Sequence, residues 1–118
     1  MLNETRLFIQ GGHPLQGDVM ASGAKNAALP ILAASILTQG HFTIKNIPPL
    51  MDVTIMLKML NALGLRAEFS ANQQVNIWND RKIRHIAPYE LVTAMRASFF
   101  VAGPILARTG FAKVPLPG

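Results

Sequence analysis

The sequence contains no cysteine, so disulfides, thiolate metal sites and thiol catalysis are excluded for these 118 residues. Histidine is scarce: His13, His41 and His85 stand far apart, without the i, i+4 pairing that builds a metal site on a helix. Surface or core roles are expected for them, and no metal is expected. No apolar run is long enough to cross a bilayer core of about 30 Å, the longest being residues 27–37. Residues 1–6 also lack the apolar core of a secretion signal, so a soluble, cytoplasmic protein without membrane contact is expected. Acidic residues are few, six against eleven Lys and Arg, and the resulting charge of +5 favours an anionic partner. Nucleic acid is not the expected one. The basic residues are dispersed from Arg6 to Lys113, and their densest group, Arg81-Lys82-Arg84, has only Trp78 and Tyr89 nearby to stack on bases. A Walker A loop is absent, because Lys25 is followed by Asn26 rather than Ser or Thr, and no glycine-rich dinucleotide fingerprint occurs.

What the chain does have is apolar substance. Half of its residues are hydrophobic, enough for one compact domain with a sizeable core. Residues 5–10 and 18–20 read as short strands, the second leading into a turn at Ser22-Gly23. A helix is predicted over residues 24–37, capped by Ser22 or Gly23. Pro30 either kinks its first turn or delays regular helix to about Ala27. Residues 41–45 alternate as a strand. Val53, Met56, Leu57, Leu60 and Leu63 then follow helical spacing, with Asp52 as N-cap and Gly64 as the residue past the end. A hairpin is predicted from residues 66–69 and 74–78 around Asn72, followed by a solvated charged loop at residues 80–84. Residues 88–108 are apolar on every side and read as a buried helix divided at Gly103-Pro104, and residues 111–115 read as a final strand. Pro30-Ile31-Leu32-Ala33 recurs as Pro104-Ile105-Leu106-Ala107, a short match that suggests an internal repeat.

Three residues carry chemical interest. Lys25 lies in the first turn of a predicted helix, at the positive end of the dipole, where an uncompensated cation costs roughly 0.3–1 kcal/mol. A solvated lysine satisfies this position, and so does an anion bound by Lys25, by the amide of Asn26 and by free backbone N–H groups. Arg96 sits within the apolar segment, and an unpaired guanidinium there must reach water, a carboxylate or an anionic ligand.

The run Ser22-Gly23-Ala24-Lys25-Asn26-Ala27-Ala28-Leu29-Pro30-Ile31-Leu32, together with Met95-Arg96-Ala97-Ser98, Gly103-Pro104 and Leu116-Pro117-Gly118, resembles the N-terminal part of the enolpyruvyl transferases, in the UDP-N-acetylglucosamine 1-carboxyvinyltransferase branch. The resemblance extends over essentially the whole chain and implies an N-terminal fragment of a two-lobed α/β fold built from repeated sheet-and-helix units. It assigns residues 1–21 to the second lobe and 22–118 to the first part of the substrate-binding lobe. It also implies transfer of the enolpyruvyl group of phosphoenolpyruvate to the 3-hydroxyl of UDP-N-acetylglucosamine with release of phosphate, early in peptidoglycan synthesis and without metal or organic cofactor. By resemblance Lys25 and Asn26 contact phosphoenolpyruvate and Arg96 contacts the UDP-sugar. The family continues past Leu-Pro-Gly with a glycine and a general-acid cysteine, so no catalytic residue is assigned here and the chain alone is expected to be inactive. The sister transferase acting on shikimate 3-phosphate, and a small basic anion-binding module, are the competing readings.

Overall fold

The computed structural model describes residues 5–116; residues 1–4 lie outside the described residues, as do Pro117 and Gly118 of the closing Leu116-Pro117-Gly118 motif. Helix α1 (Lys25–Ala34) leads into strand β1 (Gly40–Ile44), and helix α2 (Met51–Leu63) into the hairpin of β2 (Arg66–Ser70) and β3 (Gln74–Asn79). Helix α3 (Tyr89–Ala94), a 3-10 helix (Arg96–Val101) and helix α4 (Ala102–Thr109) complete the order of elements. The sheet is antiparallel with order β1-β3-β2, so the second strand of the hairpin is central.

Strict alternation builds this sheet. Val75, Ile77 and Asn79 of β3 point into the core while Gln74, Asn76 and Trp78 lie on the opposite face, as a period of two requires. Against the inner face pack Val53, Met56, Leu57, Met59, Leu60 and Leu63 of α2, and Ala28, Leu29, Leu32 and Ala33 of α1. The outer face carries a row across all three strands, in which His41 pairs with Trp78 and Trp78 with Arg66. The His41 ring stacks on the indole at 4.7 Å, and the Arg66 guanidinium lies 4.0 Å from its centroid.

Asparagines make the junctions. Asn61 near the end of α2 donates to the carbonyls of Leu57 and Ala67, each at 2.8 Å, and accepts from the Ala67 N–H at 3.1 Å, which ties α2 to β2. Asn79, buried at the end of β3, donates to the carbonyls of Ser35 (2.9 Å), Ile36 (3.3 Å) and Thr38 (2.8 Å). These are the carbonyls that a helix end leaves without intrahelical partners. Arg108 of α4 adds a bond to the Ile36 carbonyl at 2.9 Å. At the hairpin, Asn72 and Gln73 both take positive φ, 64° and 55°.

Several expectations are corrected. Residues 5–24 form no strand, and Leu7, Phe8, Ile9, Leu15, Val19 and Met20 are each at least 80% exposed. Strand-forming residues need a ladder partner, and none pairs with them among the described residues. Neither Ser22 nor Gly23 caps α1; its N-cap is Ala24, without a side-chain bond. Helix begins at Lys25 and runs through Pro30, not from Ala27 onward. Leu50, not Asp52, is the N-cap of α2, whereas Gly64 does close it, at φ 110°. The apolar segment breaks at Met95, which is extended (φ −154°, ψ 122°), and not at Gly103-Pro104. Pro104 is the third residue of α4, where a missing N–H costs little. That segment is also not buried throughout, since Phe99, Phe100 and Leu106 are exposed. Residues 111–115 give only a parallel bridge between Ile86 and Lys113. Finally, the two matching tetrapeptides face the core differently: Leu32 is buried and Ile31 exposed in α1, whereas Ile105 is buried and Leu106 exposed in α4.

Asn79→Ala should lower the unfolding free energy by about 2 kcal/mol, because the carbonyls at the end of α1 lose their buried donor. Asn79→Asp should cost more, since it turns an acceptor toward acceptors. Urea unfolding followed by circular dichroism checks both, and a midpoint equal to the parent chain's would refute the role.

Candidate functional site

Lys25 and Asn26 are the first two residues of α1, a position whose backbone N–H groups point out of the helix. The Ala24 carbonyl accepts the first bonds, from Ala27 (3.2 Å) and Ala28 (2.9 Å), and among the described residues nothing accepts from the Lys25 and Asn26 N–H groups. Two contacts fix the chain that enters this helix. The Gly23 N–H donates to the Asn46 side-chain oxygen at 3.0 Å, and a Cβ on Gly23 would overlap the Asn46 carbonyl oxygen. Asn46 itself takes φ 60°, turning the chain out of β1 toward Gly23.

The compensation that the Lys25 cation needs comes from within the chain. Its Nζ lies 2.9 Å from Oδ2 of Asp52, the second residue of α2. A carboxylate is favoured in that first turn by the dipole of its own helix, so one ion pair satisfies both helix starts. The pair is open to solvent on the Lys25 side, at 45% exposure.

Arg96 is exposed rather than buried, because the break at Met95 swings it out of the apolar segment. Among the described residues no carboxylate or other partner meets its guanidinium. The 3-10 helix that it starts has three residues per turn, so side chains three apart line up in rows. Ser98 and Val101 form the buried row, with the Ser98 hydroxyl donating to the Leu91 carbonyl at 3.0 Å. Arg96 with Phe99 forms an open row, and half-buried Ala97 with exposed Phe100 forms the third. They face α1 across a cavity of about 430 Å³ whose other walls are Asn26 and Leu29.

The structure therefore brings Asn26 and Arg96, 70 residues apart in sequence, to one cavity, with Lys25 beside Asn26 and paired to Asp52. A cation, a side-chain amide, free backbone donors and an apolar floor suit recognition of a small anion, and a volume of this size suits a ligand site. Sequence reasoning missed Asp52, read as a cap, and Phe99 and Phe100, read as core. The acid at the start of α2 was visible, but that it meets Lys25 depends on how α1 and α2 pack. Among the described residues no group of three His, Asp or Glu could hold a metal, and no helix is long and apolar enough to cross a membrane. The charged run Arg81-Lys82-Arg84 lies in a loop, as expected.

Comparison with known proteins adds a frame. Residues 9–118 match the family described as EPSP synthase (3-phosphoshikimate 1-carboxyvinyltransferase). The chain is 52% identical over 113 residues to the UDP-N-acetylglucosamine 1-carboxyvinyltransferase of Dichelobacter nodosus (strain VCS1703A), which covers 96% of this chain and 27% of that protein. It is 51% identical over 113 residues, with the same shares, to the protein of that name from Thermotoga maritima (strain ATCC 43589 / DSM 3109 / JCM 10099 / NBRC 100826 / MSB8). The chain thus spans about a quarter of the length of the curated relatives it matches. Among solved structures, the enolpyruvyl transferase NikO from Streptomyces tendae superposes with a TM-score of 0.72 over 86% of this chain and 24% of its own. At 23% identity that likeness shows a shared fold.

Gly23→Ala should destabilise the chain by about 1–3 kcal/mol, since Asn46 must move to admit the methyl group. Asp52→Asn should cost less than about 1 kcal/mol, because the ion pair is partly solvated. Urea titrations of both variants check this order, and a larger loss for Asp52→Asn would reverse the ranking.

Proposed function

The chain belongs to the EPSP synthase family of carboxyvinyltransferases, and on that footing we propose that it forms part of an enzyme moving the enolpyruvyl group of phosphoenolpyruvate to the 3-hydroxyl of UDP-N-acetylglucosamine, with release of phosphate. The observation that carries this reading is that Asn26 and Arg96 line one cavity at the start of α1, with Lys25 next to Asn26 in the chain. Lys25 and Asn26 hold phosphoenolpyruvate: the ammonium supplies charge, the amide and the two free N–H groups supply direction. Arg96 reaches the diphosphate of the sugar nucleotide, for which a guanidinium offers paired donors. Asp52 holds the Lys25 ammonium in an ion pair at 2.9 Å.

No general acid is assigned among these residues. The chain has no cysteine, so a thiol acid comes from outside these 118 residues, and the chain alone turns over no substrate. The substrate lobe begins near residue 22, and residues 1–21 pair with the other lobe. Supporting this division, the described part of that segment is exposed and forms no strand here. The reaction is cytoplasmic and feeds peptidoglycan synthesis, and through it cell shape and division. The name of the relatives at about half identity favours the UDP-sugar over shikimate 3-phosphate as acceptor.

In the complete enzyme, Lys25→Ala should weaken phosphoenolpyruvate binding by about tenfold to a hundredfold, the worth of one charge-assisted contact, while UDP-N-acetylglucosamine affinity changes far less. Calorimetric titration with each substrate tests it, with circular dichroism to confirm the fold. Unchanged phosphoenolpyruvate affinity would return Lys25 to the role of partner to Asp52 alone.

A further inference from the structure

We infer that the basic cavity between the loop after β3 and the end of α4 binds an oligophosphate, a ligand with at least two linked phosphate groups, on Arg81, Lys82 and Arg108. The cavity measures about 470 Å³ and shares no lining residue with the one beside Asn26 and Arg96, so the inference stands apart from the function proposed above. Three cations and one carboxylate, Asp80, stand on its walls, a surplus of two positive charges. Among the described residues none of the three cations forms an ion pair with Asp80 or with any other carboxylate. Like charges facing one concavity raise one another's energy, and an anion between them removes that cost. The charges are also held in place. Ile83 is buried in the core, the Arg84 N–H donates to the Leu63 carbonyl at 2.7 Å, and the His85 carbonyl accepts from the Lys113 N–H at 2.8 Å. These anchors divide the basic run: Arg81 and Lys82 line the cavity, whereas the Arg84 guanidinium bonds to the Ala62 carbonyl at 3.4 Å and does not line it. Arg108 uses one N–H on the Ile36 carbonyl, at 2.9 Å, which orients its guanidinium and leaves its other donors for a ligand.

Charge complementarity selects the occupant. A single phosphate or carboxylate meets one guanidinium and leaves the remaining cations unpaired. Linked phosphates offer paired oxygens to each guanidinium in turn and a further oxygen to the Lys82 ammonium, which acts as a point charge. No aromatic face is on offer, because His85, the one ring-bearing residue on the wall, already packs edge-on against Phe111. Recognition therefore falls to the phosphates themselves, and a concavity of this size suits a small molecule. Asp80 sets the limit, since its carboxylate opposes every anion that enters. Two sources share this chemistry: free pyrophosphate, and the diphosphate carried by a larger molecule.

The test titrates the 118-residue chain with orthophosphate, pyrophosphate and adenosine 5′-diphosphate, by calorimetry and by backbone amide resonances. Pyrophosphate should bind about tenfold tighter than orthophosphate and move the amides of residues 80–85, 108 and 109. Arg81→Gln and Lys82→Gln should each weaken pyrophosphate several-fold, and Asp80→Asn should strengthen it several-fold. Arg108 is left intact because it also holds the Ile36 carbonyl. Arg84→Gln and Lys58→Gln remove exposed charge from outside the cavity and should change nothing, as should Arg96→Gln. Adenosine 5′-diphosphate that binds as tightly as pyrophosphate, on the same amides, assigns the cavity to the diphosphate of a larger molecule. Markedly weaker binding of the nucleotide assigns it to the free ion. Equal affinities for orthophosphate and pyrophosphate overturn the inference, as does the absence of pyrophosphate binding. Losses at Arg84 and Lys58 as large as those at Arg81 and Lys82 also overturn it, because bulk charge then explains the binding. A loss confined to Arg96→Gln, with amide shifts at the start of α1, moves the ligand to the other cavity and overturns it too.

Discussion

Helix α1 can present Lys25 and Asn26 only if its other end is held, and the hold is the Asn79 side-chain amide. Its two N–H protons are shared among three carbonyls just beyond the helix, in a place that water does not reach. Because Asn79 ends the central strand, the same residue sets the angle between helix and sheet. The arrangement has an internal cost, for the Asn79 side-chain oxygen is buried without a partner. Three acceptors satisfied against one left open is a favourable exchange when each buried orphan costs about 1–3 kcal/mol. Asn61 both donates and accepts at the junction of α2 with β2, and Asn46 accepts from the Gly23 N–H at the entry to α1.

With its far end fixed, the near end of α1 is tuned by charge. Lys25 sits where its own helix disfavours it and Asp52 where its own helix favours it, and the pair spans the gap between the two helix starts. The Lys25 ammonium is therefore already partnered before any ligand is present. Under the proposed function, binding would redistribute that pair, so Asp52 would moderate the affinity of the site as well as order it. Arg96 has no such moderator among the described residues, and its charge is open to whatever enters the cavity.

Local pattern made much of this legible. Helix α2 shows its apolar spacing and closing glycine, and β3 its alternation, because the forces that fix them act within a few residues. Lys25, Asn26 and Arg96 stand out in sequence because each is out of keeping with its surroundings. The features that escape a sequence reading depend on partners remote in the chain. Residues 5–10 have strand composition but no ladder partner among the described residues, so their propensity is unexpressed. The break at Met95 follows no glycine or proline; it comes from the need to bury Ser98 and Val101 while letting Arg96 out. Asp52 reads as a cap because capping is a local preference, and only the packing of α1 against α2 turns its carboxylate toward Lys25.

The row of His41, Trp78 and Arg66 across the outer face of the sheet makes the chain its own optical instrument. Trp78 is the single indole in the sequence, held between an imidazole and a guanidinium contributed by the two flanking strands. Its emission therefore reports whether both edge strands are in register, from the face of the sheet turned away from the helices that carry the site. A ligand that alters this light without touching the row would have to move β3, and Asn79 at the end of β3 is the lever by which α1 could do so.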